Sequence, residues 1–292
     1  MVEKAFAKVN LHLEVCGLRK DGYHNIQSVM ASLNLADVLS LVSLNQRDDA
    51  TCNVKIIPDG GSQVSLLKDL PEKDNLITKA VLAYFKKQKT GVDVELKLKK
   101  EIPSGAGLGG GSSDAAAMLR LLNERFSFYT LEQLNEIAAT IGADVPFCLS
   151  SSVAFCEGIG DKITKLPNIG NYYVVLVNDA THVNTKLAYQ KIDQIKLTKR
   201  ASHEILVKDE LLKGKFPFSS FYNSFEDVVF EEHLALKKYK SSLLSMGAFF
   251  ALMSGSGSTV YGLFTDFDLA DKAKCYFESN GLMVYLSAFN HK

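Results

Sequence analysis

The sequence predicts an α+β protein of 292 residues divided into two domains. Three observations lead there. Segments with the two-residue period of half-buried strands alternate along the chain with segments of helical spacing. The length exceeds the needs of one small core and suits two modest ones. The texture resets after Ser150, where a new series of strands begins, so residues 1–152 and 153–292 are expected to be the two domains.

Taken in order, the opening segment around Lys8 is expected to be the first strand, turning back through a hairpin at Asp21-Gly22. A helix is expected over about residues 75–87. "VDVELKLK", residues 92–99, places Val92, Val94, Leu96 and Leu98 on one side and charges on the other, the pattern of a half-buried strand. In "TLEQLNEIAATIG" Thr130 and Gln133 stand at capping-box spacing and Gly142 ends the helix. Asp144 suits the N-cap of a short helix starting at Val145-Pro146. Beyond Ser150 the expected order is strands at 153–156 and 172–178, a helix at 186–195, a helix at 232–246 ended by Gly247, strands at 247–253 and 258–264, a helix at 269–279 and a last strand.

Composition excludes several classes. With 33 acidic and 33 basic residues the chain has no net field to attract nucleic acid. The five cysteines, Cys16, Cys52, Cys148, Cys156 and Cys275, are scattered and lack C-x-x-C or His/Cys zinc spacing, which points to reduced thiols and a cytoplasmic location. The longest apolar stretches, such as 246–253, are too short to span a bilayer, and "MVEKAFAKVN" has no apolar signal core. No membrane or nucleic-acid partner is expected, and a monomer or weak dimer is.

"IPSGAGLGGGSSDAAA", residues 102–117, carries five glycines in seven positions before a helix-forming run. Gly105, Gly107 and Gly110 satisfy G-x-G-x-x-G, but Pro103 interrupts the approach and no second strand ending in an acidic residue follows, which counts against a dinucleotide fold. Gly105, Gly110 and Ser112 fit the P-loop pattern except that Gly111 stands in place of its lysine. What remains is shared physics: glycines let backbone N–H groups converge, the loop opens onto a helix N-terminus, and Ser112 and Ser113 offer hydroxyls. The stretch suits phosphate, with its cation supplied from elsewhere. A tight strand-to-helix connection would need only one or two glycines.

"PSGAGLGGGSSDAAA" resembles the second motif of the GHMP kinases, "AKVNLHLEV" (7–15) the first, and "LMSGSGSTVYGLF" (252–264) the third. "GLRKDGYHNIQSVM" (17–30) with "IGADVPFCL" (141–149) is similar to the branch whose acceptor is a cytidine diphosphate of methylerythritol. The resemblance implies an N-terminal domain of ribosomal-protein type, a ferredoxin-like C-terminal domain, and an active site between them. It implies ATP as co-substrate, Mg²⁺, and transfer of phosphate to the 2-hydroxyl of the erythritol.

The site residues follow from it. Asp144 is the implied general base and Lys8 the cation beside the reacting hydroxyl. Asn10, two residues along the same strand face, would bond the substrate diol. Tyr23 and His24 of "DGYH" are implied at the cytidine, Tyr23 stacking on the base and Tyr189 opposing it, although Asn184 departs from the serine common in that motif. Pro103, Gly105, Gly107, Leu108, Gly109, Gly110, Gly111, Ser112 and Ser113 are the implied ATP loop, with Ser112 on the metal or β-phosphate. Gly255 and Gly257 would shape the cleft. Asn223 and Glu226 in "NSFE" recur in the family without an evident role, and residues 196–221 match nothing recognisable. Two rivals stand beside this reading: a homoserine- or mevalonate-type kinase of the same superfamily, which would not need Tyr23 and Tyr189, and a non-enzymatic RNA-binding module, disfavoured by the neutral charge.

Overall fold

The computed structural model describes residues 1–63, 74–150, 152–196 and 204–291. The chain packs as two compact units that are interleaved in sequence. The first comprises residues 1–7, 35–104 and 109–150, the second 8–34, 105–108 and 151–292. Two long strands, β1 (Val2–Leu18) and β2 (His24–Arg47), contribute residues to both.

In the first unit the lower part of β2 pairs antiparallel with β4 (Gly91–Lys99), and β3 (Cys52–Pro58) pairs parallel with β4. The expected alternation of β4 holds: Val92, Val94, Leu96 and Leu98 are buried and pack against helices. Those helices are α1 (Leu76–Phe85), α2 (Gly110–Phe126), α3 (Leu131–Ile141) and α4 (Val145–Ser150). Both bonds of the Thr130/Gln133 capping box form at the start of α3. The alanine run 115–117 is buried on α2, where small side chains let the helix approach its neighbours closely.

In the second unit the upper part of β2 pairs with β5 (Val153–Glu157), which pairs with β6 (Lys162–Lys165). A four-stranded antiparallel sheet follows, from β7 (Tyr173–Asn178), β8 (Phe250–Met253), β9 (Val260–Phe264) and β10 (Met283–Ala288), in spatial order β10-β7-β9-β8. With helices between β7 and β8 and between β9 and β10, this is the β-α-β-β-α-β order expected of a ferredoxin-like domain. The helices are α5 (Thr185–Lys196), α6 (Glu204–Leu212), α7 (Glu226–Glu232), α8 (Leu234–Ser245) and α9 (Phe267–Ser279). The helix expected over 232–246 is α8, which starts two residues later than expected; the short α7 ahead of it was not expected, and His233, at φ −120° and ψ 69°, leaves the helical region between them. Part of the unmatched stretch 196–221 forms α6 and a 3₁₀ turn at Phe218–Ser220; its residues 197–203 lie outside the described residues.

Candidate active site

β1 carries a row of buried polar side chains. Val9, Leu11 and Leu13 alternate with Lys8, Asn10 and His12, the pattern of a strand with one wet face, yet all six are buried. A buried polar face must find partners within the protein. Lys8 Nζ donates to Asn10 Oδ1 at 2.8 Å, and Gly255 N donates to the same oxygen at 2.9 Å. Asn10 Nδ2 donates to Ser28 Oγ at 2.8 Å, and Ser28 Oγ donates to the His12 carbonyl at 2.7 Å. The Tyr261 hydroxyl donates to the Asn10 carbonyl at 2.8 Å, fixing the strand from the side of β9. Burial lowers the His12 pKa from its ordinary value to about 4, despite the opposing pull of Glu14, so the ring is neutral near pH 7.

The three motif segments meet in this unit. Lys8 N donates to the Leu108 carbonyl at 2.9 Å, Ser254 Oγ donates to the Gly107 carbonyl at 2.9 Å, and Thr259 N donates to the Ala106 carbonyl at 3.2 Å. Gly107, at φ +77°, lies so close to the third motif that a Cβ there would sit 2.1 Å from the Ser254 oxygen. The turn 254–257 also carries positive φ at Gly255 and Gly257, which glycine adopts without strain.

At the far end of the β1–β2 hairpin the expected turn forms at Asp21-Gly22 with one residue more: Gly22 N donates to the Arg19 carbonyl and Arg19 N to the Tyr23 carbonyl, so the loop is Lys20-Asp21-Gly22, with Gly22 at φ +85°. Tyr23 follows it and is 63% exposed. His24 is turned onto α5. Its ring stacks on Tyr189 with centroids 4.5 Å apart and planes at 17°. Its Nε2 lies 2.9 and 3.0 Å from the two Asp193 oxygens; a carboxylate only accepts, so Nε2 carries the proton. Asp193 is one helical turn beyond Tyr189, which is how one helix holds both face and edge of the imidazole. Phe225 meets Tyr189 edge-on at 4.9 Å.

In the first unit, Gly109 in the left-handed region precedes α2, and no side chain caps the helix. Its 17 residues therefore present the first-turn N–H groups of Gly110, Gly111 and Ser112 toward whatever lies beyond the N-terminus, a favourable place for phosphate. Ser112 is half-buried, whereas the Ser113 hydroxyl is spent on the Gly110 carbonyl at 2.8 Å. Pro103 is buried in the approach to the loop. Asp144 occupies the N-cap position of α4, its carbonyl accepting from Cys148 N at 3.1 Å. Arg120 closes the other end of that helix, donating to the Cys148 and Leu149 carbonyls at 2.8 and 3.3 Å.

Several residues here were invisible to sequence reasoning. Lys100 is the lysine beside the start of α2; a Cβ on Gly110 would be 3.2 Å from its Nζ. It is held by two carboxylates, however, donating to Asp37 and, at 2.7 Å, to Asp114. Burial opposes the Lys100 charge, but the two carboxylates outweigh it and raise its pKa. Burial pushes Asp114 up to about 7, with Lys100 pulling the other way and Asp37 adding to the rise. Asp37 also accepts from Glu101 N and Ile102 N at 2.6 and 2.9 Å, tying the end of β4 in place. Among the described residues no group of three or more His, Cys, Asp or Glu is arranged to hold a metal ion, and no helix is long and apolar enough to cross a membrane.

Comparison with known proteins places these features in context. Residues 75–152 match the family model of the GHMP kinases N terminal domain, and residues 206–281 that of the GHMP kinases C terminal domain. A 4-diphosphocytidyl-2-C-methyl-D-erythritol kinase of Clostridium botulinum (strain Hall) is 35% identical over 270 residues, covering 91% of each chain. One from Clostridium tetani is 36% identical over 290 residues, covering 97% of this chain and 98% of the other. The solved structure of a 4-(cytidine 5'-diphospho)-2C-methyl-D-erythritol kinase, 28% identical, covers the whole of both chains with a TM-score of 0.77.

Proposed function

The chain belongs to the 4-diphosphocytidyl-2-C-methyl-D-erythritol kinases of the GHMP family, and from that premise we propose how its own residues divide the work. It is an ATP-dependent kinase that phosphorylates 4-diphosphocytidyl-2-C-methyl-D-erythritol for isoprenoid precursor synthesis, rather than a homoserine- or mevalonate-type kinase or an RNA-binding module.

Phosphorylating an alcohol requires a base for the hydroxyl proton and positive charge for the oxygens that become negative. Asp144 is the proposed base at the 2-hydroxyl. Lys8 is the proposed cation, steadying the oxygen as its proton leaves. The observation that carries this reading is the buried lysine itself: a lysine 3% exposed, its ammonium gripped by Asn10 and set beside the third-motif turn, is costly as mere structure. Asn10 accepts from both Lys8 and Gly255 and gives one N–H to Ser28, which leaves its second amide N–H for the substrate diol.

The N–H groups at the start of α2 and the backbone of Gly105, Gly107, Leu108, Gly109, Gly110 and Gly111 are the proposed cradle for the ATP phosphates, with Gly255 and Gly257 shaping the cleft. Tyr23, His24 and Tyr189 are assigned to the cytidine. Mg²⁺ characteristically keeps its waters and its substrate phosphates, so a single protein oxygen from Ser112 suits it; when bound it would neutralise phosphate charge. The division at 152/153 stands as the proposed functional boundary, the two family matches falling on either side of it. A cytoplasmic location, a monomer or weak dimer, and no nucleic-acid partner are proposed on the scattered free thiols and balanced charge.

The test is ADP release by purified protein with Mg²⁺-ATP and the cytidine substrate, alongside mevalonate and homoserine. Turnover is expected only with the first, and turnover of another alcohol instead would overturn the cytidine assignment. Lys8→Ala and Asp144→Ala should each lower kcat by about a hundredfold or more with the fold intact. Near-normal turnover in either would remove that residue from its role.

A further inference from the structure

The "NSFE" segment, residues 223–226, stands apart from the base, the cation and the phosphate loop, yet its side chains are bound to the third-motif turn. Asn223 is 2% exposed and its side chain is fully engaged. Nδ2 donates to the Met253 carbonyl at 2.7 Å and to the Gly255 carbonyl at 2.8 Å, while Oδ1 accepts from Phe225 N at 2.9 Å. Both N–H groups are used, so none is left for a ligand. Glu226 grips the same turn from the other side: Oε1 accepts from Met253 N at 2.8 Å, and Lys240 Nζ donates to Oε2 at 2.5 Å. Two consecutive turns of chain thus fix the donor and acceptor groups of Met253 and the carbonyl of Gly255.

Gly255 is where that grip reaches the site. Its N–H donates to Asn10 Oδ1, the oxygen that also holds Lys8 Nζ, and a Cβ added to Gly255 would lie 3.7 Å from that ammonium. Moving the turn by an ångström would withdraw the N–H from Asn10 and change where the ammonium stands. We propose that Asn223 is a positioning residue for phosphoryl transfer: by holding the Met253 and Gly255 carbonyls it sets the third-motif turn against Asn10, and through Asn10 it aims Lys8. This rests on the reading of Lys8 as the cation at the reacting hydroxyl. Only an amide serves, because one nitrogen must donate twice while the adjacent oxygen accepts.

The experiment is a double-mutant cycle on the full chain between Asn223→Ala and Lys8→Ala, with kcat and both KM values measured for ATP and the cytidine substrate. Asn223→Ala should lower kcat by about 10- to 100-fold with each KM within about threefold, since the interaction is spent on the transition state rather than on ground-state binding. Asn223→Ser, which keeps one donor, should recover part of that loss, and it carries the cycle if the alanine variant does not fold. In the Lys8→Ala background the Asn223 substitution should cost little further, because its effect passes through the missing ammonium. Multiplying losses, or a kcat unchanged in a folded Asn223 variant, would overturn the relay while leaving the role of Lys8 standing. Wild-type turnover by Lys8→Ala alone would overturn that role, and the relay with it.

Discussion

Gly107 and Gly105 share a positive φ, +77° and +67°, but not a setting. A Cβ on Gly107 would be driven into the Ser254 carbonyl, whereas nothing lies within 4 Å of one on Gly105. Gly105→Ala should therefore cost only the backbone preference, about 1–2 kcal/mol. Gly107→Ala must move one loop off the other, and a displacement near 1 Å at a reacting site is worth on the order of a hundredfold in rate. Steady-state kcat/KM for ATP in the two variants separates them, and equal losses would show that the close approach to Ser254 has no functional weight. Residue types alone could not distinguish these two glycines, because the second loop that crowds Gly107 is some 150 positions away in the chain. For the same reason the burial of Asn10 could not be read from residue types, since its partners come from Ser28, Gly255 and Tyr261.

Elements whose signals are local were legible: the capping box of α3, the alternation of β4 and the Asp21-Gly22 turn all rest on neighbours within a few residues. The short helix α7 ahead of His233 was not, since seven residues carry too little periodicity to stand out. Nor was the burial of both faces of β1, whose apolar-polar alternation is that of a half-exposed strand. Of the site, the glycine loop and the turn were readable as motifs, but the Lys100–Asp37–Asp114 cluster was not, because its three members are unremarkable charges until the fold collects them. Helix α2 offers a test at this scale. It ends on Ser127 in the left-handed region, φ +52°, a position that glycine takes without the Cβ penalty. Ser127 is exposed, and its hydroxyl contributes only a 3.3 Å bond to the Asn123 carbonyl. Ser127→Gly should stabilise the protein by roughly 0.5–1 kcal/mol, seen as a rise of about 1–3 °C in Tm by circular dichroism, and a fall would mean the serine bond outweighs the strain.

Across the whole molecule, balanced charge leaves little net self-repulsion near neutral pH, so individual buried groups shape the pH response. Two of them act in opposite directions. His12 has its folded pKa depressed to about 4, so the stability it contributes is present above about pH 6.5 and is lost as pH falls toward 4. Asp114 has its folded pKa raised to about 7, so its contribution is present at low pH and is lost as pH rises from about 4 through 7. His12→Phe should flatten the acid side of a Tm-against-pH curve, by up to about 3 kcal/mol at pH 4. Asp114→Asn should flatten the fall toward neutrality. Slopes identical to wild type would show that these groups are not what the curve reports. The interleaving of the two units also orders events during synthesis. The first unit has all its residues once Ser150 has been made, but the strand segment bearing Lys8, Asn10 and His12 belongs to the second and waits for Ser254 and Tyr261, which bond Asn10 N and its carbonyl. At a ribosome's pace of about 5–20 residues per second that wait is on the order of 10–50 s, during which a strand of buried-type residues is already outside the tunnel without its cover. The earliest-made residues of the second unit are thus among the last to be covered.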